Sequence, residues 1–486
     1  MIERKEMQEI VRGFKEPICL NLGSHSTLDK LQAQRNFGLR RIVYTTPARA
    51  IIYLSNPMVG NVNEKITDLP SVTKRDMIVR FDPKDIPKNG DWKQAVLILD
   101  NYSDILKYVD DLIDLECIHL TDRAFSTYVG RDAQCSKIEN EFAVPLVGSR
   151  KLLKIENRGE IEKDYYWFAE RACIPTPKSF KGKYDVTNSG IRFKEFIDEP
   201  MLLKAEHPQR ELEREFIWAV DSGDMEEQVE RRVKSGELSP EGLRHARLEQ
   251  IVLGPHANAN FFFSPLNAQE DWGECEDAFQ KIFGLSEKIA RTCLANEFLS
   301  IDERRETVWD GIRRMPIDIQ QKLKEKEKVG KFKPTFEVTL HGMLSARESL
   351  IKDILKCANA FLLACLKHEP PGIIGPWCLQ TLVTWDKVSK YGYKPVLKFD
   401  TTLGDVPKTA ADYGLYDVSG TAEDIEMHIF VTQDVAVRHG GGANVHMGIG
   451  AQYSNAKYMR IMSLGDRTAM EIRNAIDGKM LPEIVT

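Results

Sequence analysis

The sequence predicts an α/β fold, grading into α+β, spread over more than one domain. Three observations predict it. Short apolar runs of strand length alternate with amphipathic helical stretches through the first ~150 residues. A chain of 486 residues is too long for one ordinary core. Its composition, 42% hydrophobic and 29% charged with no low-complexity tract, is that of a globular protein.

Pro17-Ile18-Cys19-Leu20-Asn21-Leu22 is the first apolar run, and it breaks at Gly23-Ser24-His25-Ser26. Helical periodicity follows through Leu28, Leu31 and Phe37, and Arg41-Ile42-Val43-Tyr44-Thr45 reads as a second strand. Ala95 to Leu99 and Glu116 to Leu120 continue the alternation. Such an open α/β unit binds ligands at the carboxyl ends of its strands.

A second region opens near Arg150 with a charged amphipathic helix, Glu160 to Cys173, stopped by Ile174-Pro175-Thr176-Pro177. Pro200 to Lys204 reads as a strand ending in a lysine. A helix around Asp224 to Ser235 and strands over Leu248–Gly254 and Asn258–Pro265 follow. The last third contains a long helix from about Ala346 to Lys367, ended by Pro370-Pro371-Gly372. Two strand-like runs there flank a polar insertion from about Asp386 to Ser419. The second run, Ile425 to Val431, leads toward Gly440-Gly441-Gly442. No internal repeat is apparent.

A net charge of −6 and a pI near 6 give no reason to expect a nucleic-acid surface. The mixed run Lys324-Glu325-Lys326-Glu327 reads as a solvated helical face. The opening residues, Met1 to Glu6, are charged and lack the apolar stretch of a secretory signal, and no apolar run approaches a bilayer span. Nine cysteines stand at irregular positions without a CxxC pair, several of them (Cys19, Cys117, Cys365, Cys378) in apolar surroundings. They predict reduced core thiols in a cytoplasmic protein.

Chemistry concentrates at three places. Gly23-Ser24-His25-Ser26 turns a strand into a helix, which aims backbone N–H groups and hydroxyls at one spot and suits a phosphate. A plain serine N-cap fits the same residues, and His25 is either a ligand or acid/base group or a loop histidine. Lys204 stands where a nucleotide-phosphate lysine can sit. Glu249 and Gln250 begin a strand whose Val252-Leu253 can edge an adenine pocket; an exposed strand edge explains them equally well. Gln433 and Asp434 follow the strand over Ile425–Val431, with Arg438, the glycine cluster, Asn444 and His446 beyond. A carboxylate, an arginine and flexible backbone in this order suit a magnesium-nucleotide site; the other reading is a glycine-rich surface loop.

Taken together, the motifs resemble one family. Leu22-Gly23-Ser24-His25-Ser26, Val144 to Lys151, Ile174 to Lys178, Pro370-Pro371-Gly372-Ile373-Ile374-Gly375-Pro376-Trp377-Cys378-Leu379-Gln380, and Arg438 with Gly441-Gly442-Ala443-Asn444 then Tyr453-Ser454 all look like signatures of the archaeal formate-dependent FAICAR synthetases, in order along the chain. The resemblance implies a Rossmann-like N-terminal domain (1–147), an ATP-grasp nucleotide-lid region (148–270) and a C-terminal ATP-grasp region (271–486). It implies ATP and Mg2+ as cofactors, with formate and the aminoimidazole ribonucleotide AICAR as substrates. Formyl phosphate would be the acylating intermediate, and a homo-oligomer, trimeric or hexameric, the assembly.

Residue by residue, the resemblance implies catalytic roles for His25 and Arg438, and substrate contacts from Ser24, His25, Ser26 and Asn444. ATP contacts would come from Lys204, Glu249 and Gln250, and metal contacts from Gln380 and Asp434. The chain departs from the family pattern in three places. Ala205 to Arg214 has no glycine and three glutamates where a glycine-rich loop covers the ATP phosphates. Asp122-Arg123-Ala124 replaces His-Gly-Ser before Phe125. Asp434, Ala436 and Gly440 replace Glu, Ser and Asp. These departures also fit a paralogue with another substrate, or a non-catalytic nucleotide- or phosphate-binding subunit.

Overall fold

The computed structural model describes residues 1–24, 26–55, 76–130, 132, 134–157, 161–206, 214–306, 308–329, 331, 340–344, 346–387, 426–440, 456–458 and 462–486. His25, Asn444 and His446, most of the loop over 205–214 and most of the insertion over 386–419 lie outside them.

The first sheet has six parallel strands: β1 (Ile18–Leu22), β2 (Arg41–Thr45), β3 (Met77–Arg80), β4 (Gln94–Ile98), β5 (Cys117–Leu120) and β6 (Leu146–Val147). Their spatial order is β3-β4-β2-β1-β5-β6. β1 and β2 are buried along their whole length because both faces are covered. Ile18, Leu20 and Leu22 pack with Tyr44, Leu97, Phe125 and Phe142 on one side; Cys19, Ile118 and Leu120 pack on the other. The helix Thr27–Asn36 covers that second side together with the C-terminal helix Leu464–Asp477, which contributes Ala469, Ile472 and Ala475.

The middle of the chain forms a hairpin of β7 (Tyr184–Thr187) and β8 (Gly190–Phe193) and a three-stranded antiparallel sheet. That sheet, in order β10-β9-β11, contains β9 (Met201–Glu206), β10 (Arg214–Ala219) and β11 (Arg247–Gln250). Met201, Leu203 and Ala205 point to a core shared with Met225 and Val229 of the helix Ser222–Lys234, so Leu202 and Lys204 point to the opposite face.

The third sheet is five-stranded and antiparallel, ordered β14-β13-β12-β15-β16: β12 (His256–Phe263), β13 (Asn296–Glu306), β14 (Leu340–Met343), β15 (Gly375–Lys387) and β16 (Glu426–Ala436). Its apolar face, with Ala259, Phe261, Trp377, Leu379 and Val435, packs on the helix Glu348–His368 and on Tyr165 and Phe168 of the helix Tyr165–Arg171. Trp377 is stacked on Phe261, ring centroids 4.8 Å apart, and its indole N–H donates to Asn296 Oδ1 at 3.1 Å. A Rossmann-like sheet followed by two antiparallel sheets is the expected α/β architecture.

Several expected boundaries move. Lys204 lies inside β9 rather than at its end, since β9 pairs with β10 through Glu206. Glu249 and Gln250 end β11 rather than begin it, and Leu253 is 79% exposed beyond it. β16 runs past Val431 to Ala436 because β15 offers partners that far, so Gln433 and Asp434 are strand residues. The helix Glu348–His368 and the buried cysteines fall where expected; Cys275 alone is exposed. Among the described residues no helix is long and apolar enough to cross a membrane.

Candidate active site

Neighbours of β1 run in opposite chain directions, toward β2 on one side and β5 on the other, so the topological switch point of the parallel sheet lies between β1 and β5. The sequence places Gly23-Ser24 after β1 and Thr121-Asp122 after β5, so both turns open on that crevice. Gly23 has no room for a side chain: an added Cβ would stand 2.8 Å from the Tyr53 ring and 3.0 Å from Thr45. Its carbonyl accepts from Tyr102 Oη at 2.7 Å. Ser26 occupies the N-cap position of the helix Thr27–Asn36, yet its hydroxyl makes no capping bond. It donates instead to the Gly440 carbonyl at 3.3 Å. The simple capping reading therefore fails for Ser26.

Asp122 is fully buried in the same crevice. It accepts from Ser24 Oγ at 3.0 Å, from Lys30 Nζ at 2.7 Å and from the Phe125 N–H at 3.0 Å. Burial disfavours the carboxylate, but the Lys30 ammonium outweighs it and holds the Asp122 carboxyl below its ordinary range. His119, on β5 beneath this site, is pushed down to about 3 by burial and by the nearby Lys30, and it bonds Tyr44 Oη at 3.0 Å.

The C-terminal segment reaches this crevice from the other sheet. Arg438 forms a two-point ion pair with Glu156, both contacts 3.0 Å, and Arg123 approaches the same carboxylate at 3.5 Å. His439 N–H donates to the Thr121 carbonyl at 3.3 Å, making a parallel bridge with Asp122. Its Nε2 lies 3.2 Å from Asp29 Oδ2, and both side chains are buried. Of the residues singled out in the sequence, Ser26 contacts Gly440, and Arg438, two residues before Gly440, pairs with Glu156; Asn444 and His25 lie outside the described residues.

Further back along β16, the five-stranded sheet meets the middle one. Asp434 pairs across strands with Gln380, Gln380 with Asn258, and Asn258 with Asp302. The four side chains therefore share one face, opposite the core. Asn258 Nδ2 donates to Asp302 Oδ2 at 2.9 Å, and Asn260 Nδ2 to Asp302 Oδ1 at 2.6 Å. A row of carboxylate and amide oxygens is the donor chemistry that a hard cation such as Mg2+ takes. Between Asp434 and Thr432, β16 carries one residue more than β15: Gln433 bulges from the ladder, and its carbonyl accepts from Tyr166 Oη at 3.4 Å.

Tyr166 connects this row to the predicted nucleotide residues. Its hydroxyl donates to Glu249 Oε2 at 2.7 Å and lies 3.3 Å from Lys204 Nζ. Lys204 and Glu249 form a buried ion pair, and Arg247, directly across the ladder from Lys204, stands 3.5 Å from Glu249 Oε2 and 3.5 Å above the Tyr166 ring. Gln250 is separated from them: alternation turns its side chain to the other face of β11. Tyr166, Arg247, Glu156, Lys30, Asp29 and His439 were not read from sequence as site residues. Local signals marked the Gly23–Ser26 turn, Lys204, Glu249, Asp434 and Arg438 but not these six, whose partners are far away in the chain.

A family model described as "Domain of unknown function (DUF1297)" matches residues 224–394 and 413–486, half of the chain, and one described as "Protein of unknown function (DUF1246)" matches residues 19–180. A Methanopyrus kandleri protein named 5-formaminoimidazole-4-carboxamide-1-(beta)-D-ribofuranosyl 5'-monophosphate synthetase is 25% identical over 490 residues, covering 100% of both chains. The protein of the same name from Methanothermobacter thermautotrophicus is 23% identical, covering 100% of this chain and 99% of its own. Among solved structures, an IMP biosynthesis protein PurP from Thermococcus kodakaraensis matches with a TM-score of 0.53 at 19% identity, covering 96% of this chain and 100% of that one. That structural likeness shows a shared fold. Through the half-chain DUF1297 match and these full-length relatives, the chain belongs to the family of the archaeal FAICAR synthetases.

Proposed function

We propose that the protein is an ATP-dependent carboxylate–amine ligase of purine biosynthesis. In its family form the reaction joins formate to the amine of AICAR, with ATP converted to ADP and phosphate through formyl phosphate. The observation that carries this reading is the course of β16 and the residues after it. From Gln433 to Gly440 one segment, the end of β16 and the four residues after it, touches the Lys204–Glu249–Tyr166 cluster, the Gln380–Asp434 pair, the Arg438–Glu156 pair and the Ser26 turn in sequence. At roughly 3.3 Å per residue the seven steps span at most about 23 Å, so these groups lie in order along one edge of the crevice.

In this reading Lys204 and Glu249 hold ATP, while Gln380 and Asp434, with Asn258 beside them, would hold Mg2+, which would supply charge neutralisation on the transferring phosphoryl group. Ser24 and Ser26 bind the second substrate at the switch point, His25 and Asn444 are further substrate contacts by the family resemblance, and Arg438 stabilises the acyl phosphate that forms between the two. Formate is unreactive toward an amine until activated, so the site must also keep water from the acyl phosphate. The test is ADP release by the purified protein with Mg2+, ATP, formate and AICAR, each omitted in turn. Release that needs all four supports the proposal; no formate-dependent release overturns it.

A second reading has one specific observation in its favour. Lys30, the cation beside the Ser24–Ser26 turn where the second substrate binds, is paired with the buried carboxylate of Asp122. That internal neutralisation favours a substrate with less negative charge than the family's ribonucleotide. Replacing AICAR by its dephosphorylated riboside in the same assay separates the two readings.

A further inference from the structure

His439 is a histidine that no part of the proposed function uses, and its surroundings are unusual. It is 2% exposed, and among the described residues neither ring nitrogen has a hydrogen-bond partner. Asp29, 1% exposed, has its Oδ2 engaged by the Gly465 N–H at 3.0 Å, while its Oδ1 also has no hydrogen bond. The 3.2 Å approach of His439 Nε2 to Asp29 Oδ2 is close enough for an ion pair but not aligned as a hydrogen bond. Each buried polar atom without a partner costs about 1–3 kcal/mol. Three such atoms in one place are a cost that folding alone does not explain.

The position supplies an explanation. His439 is held at the switch point through its own backbone, bridged to Asp122 and bonded to Thr121, with Arg438 before it and the Gly440–Ser26 contact after it. The charged groups around it are Asp29 and Lys30 on the helix Thr27–Asn36, Asp122 after β5, and Arg438 on its own segment. With Asp29 beside Nε2, Nδ1 is the ring nitrogen left to accept a proton, the arrangement of a histidine oriented by a carboxylate. Hydrogen bonds of this kind are often misaligned before substrate arrives and tighten when it does.

We infer that His439, oriented by Asp29, accepts the amine proton in the second half of the ligation. This rests on the ligase reading above. The amine nitrogen attacks the acyl carbon of formyl phosphate, and a C–N bond forms. The bond from that carbon to the phosphate oxygen breaks, its electron pair leaving on phosphate. The proton lost by nitrogen passes to His439 Nδ1. Asp29 is a positioning residue that stabilises the imidazolium as it forms.

The experiment compares the wild type with His439→Gln and Asp29→Asn in two assays. Positional isotope exchange in ATP, with formate and without amine, reads acyl-phosphate formation; product formation with amine from pH 5.5 to 9 reads transfer. General base catalysis contributes about 10²–10⁴-fold. Transfer should therefore fall at least 100-fold in His439→Gln and lose its acidic limb, with isotope exchange and melting temperature retained. Asp29→Asn should lower kcat for transfer with little change in KM for the amine. Transfer by His439→Gln at the wild-type rate with the same pH profile overturns the inference alone. So does an equal fall in both assays accompanied by a lower melting temperature, which marks a structural role. Absence of isotope exchange in the wild type overturns the ligase reading and the inference with it.

Discussion

Replacing Lys30 by Met tests whether the switch point is held by the charge pair seen there. The substitution keeps the length of the side chain but leaves the Asp122 carboxylate fully buried, with only Ser24 Oγ and the Phe125 N–H as donors. Removing one partner of a buried pair costs about 3–5 kcal/mol, and the two surviving hydrogen bonds put this case near about 3 kcal/mol. In a unit of roughly 150–250 residues each kcal/mol moves the melting temperature by about 2–4 °C, so a fall of about 6–12 °C is expected at neutral pH. The pH dependence should change sign. In the wild type the Asp122 carboxyl is held below its ordinary range, so its contribution is present above about pH 3.9 and lost as pH falls through the folded value. In Lys30→Met only burial and the two hydrogen bonds remain, the carboxyl moves up, and the deficit shrinks as pH falls from 7.5 to 5. Asp122→Asn in the same background should recover much of the loss. Scanning calorimetry of the wild type and the two variants at both pH values decides it: a fall under about 2 °C at pH 7.5, or a double variant no better than Lys30→Met, refutes the reasoning.

Gly23→Ala forces a Cβ against Tyr53 and Thr45 and should cost about 1–3 kcal/mol, read as a lower urea midpoint. Tyr166→Phe removes the hydroxyl between Lys204 and Glu249. A charge-assisted bond of about 1.5–3 kcal/mol is lost, so ATP affinity measured by calorimetry should fall by about tenfold or more. Trp377→Ala opens a void between Phe261 and Phe361 and should cost about 3–5 kcal/mol in thermal or urea unfolding, with Trp377→Phe recovering part of it. His119 is kept neutral by burial down to about pH 3, while in the unfolded chain it protonates near pH 6.5. Its contribution is complete above about pH 6.5 and is lost as pH falls toward 3, up to about 4–5 kcal/mol. His119→Phe should flatten the urea midpoint against pH across that window.

The legible parts of the fold were those encoded locally. The alternation from Ile18 to Leu120 names the parallel sheet, and the glycine turn after Leu22 names its binding edge, because strand period and turn chemistry act over a few residues. The resemblance to the ligase family paired Gln380 with Asp434, and the two are cross-strand neighbours. What stayed hidden depends on distance along the chain. Nothing near His439 announces Asp29, and nothing near Arg438 announces Glu156, since each pair is made only when the last sheet closes onto the first. Tyr166 reads as one more core aromatic, and only its hydroxyl, aimed at Glu249, separates it from Tyr165. The early end assigned to the strand over Ile425–Val431 came from the polar Thr432-Gln433-Asp434; tertiary pairing with β15 overrides that local signal.

The extra residue at Gln433 has a consequence for how this protein tolerates change in length. Strand register in a hairpin is ordinarily tied to its turn, so an insertion there slides every side chain to the wrong face. Here the offset is fixed within the ladder, between Asp434 opposite Gln380 and Thr432 opposite Thr381, and Thr432 is further pinned by its bonds to the Pro175 carbonyl. Residues 388–425 join the two strands without setting that offset. Doubling the length of a loop adds only about 0.6 kcal/mol of closure cost. A change in the length of that connection therefore leaves Asp434 opposite Gln380.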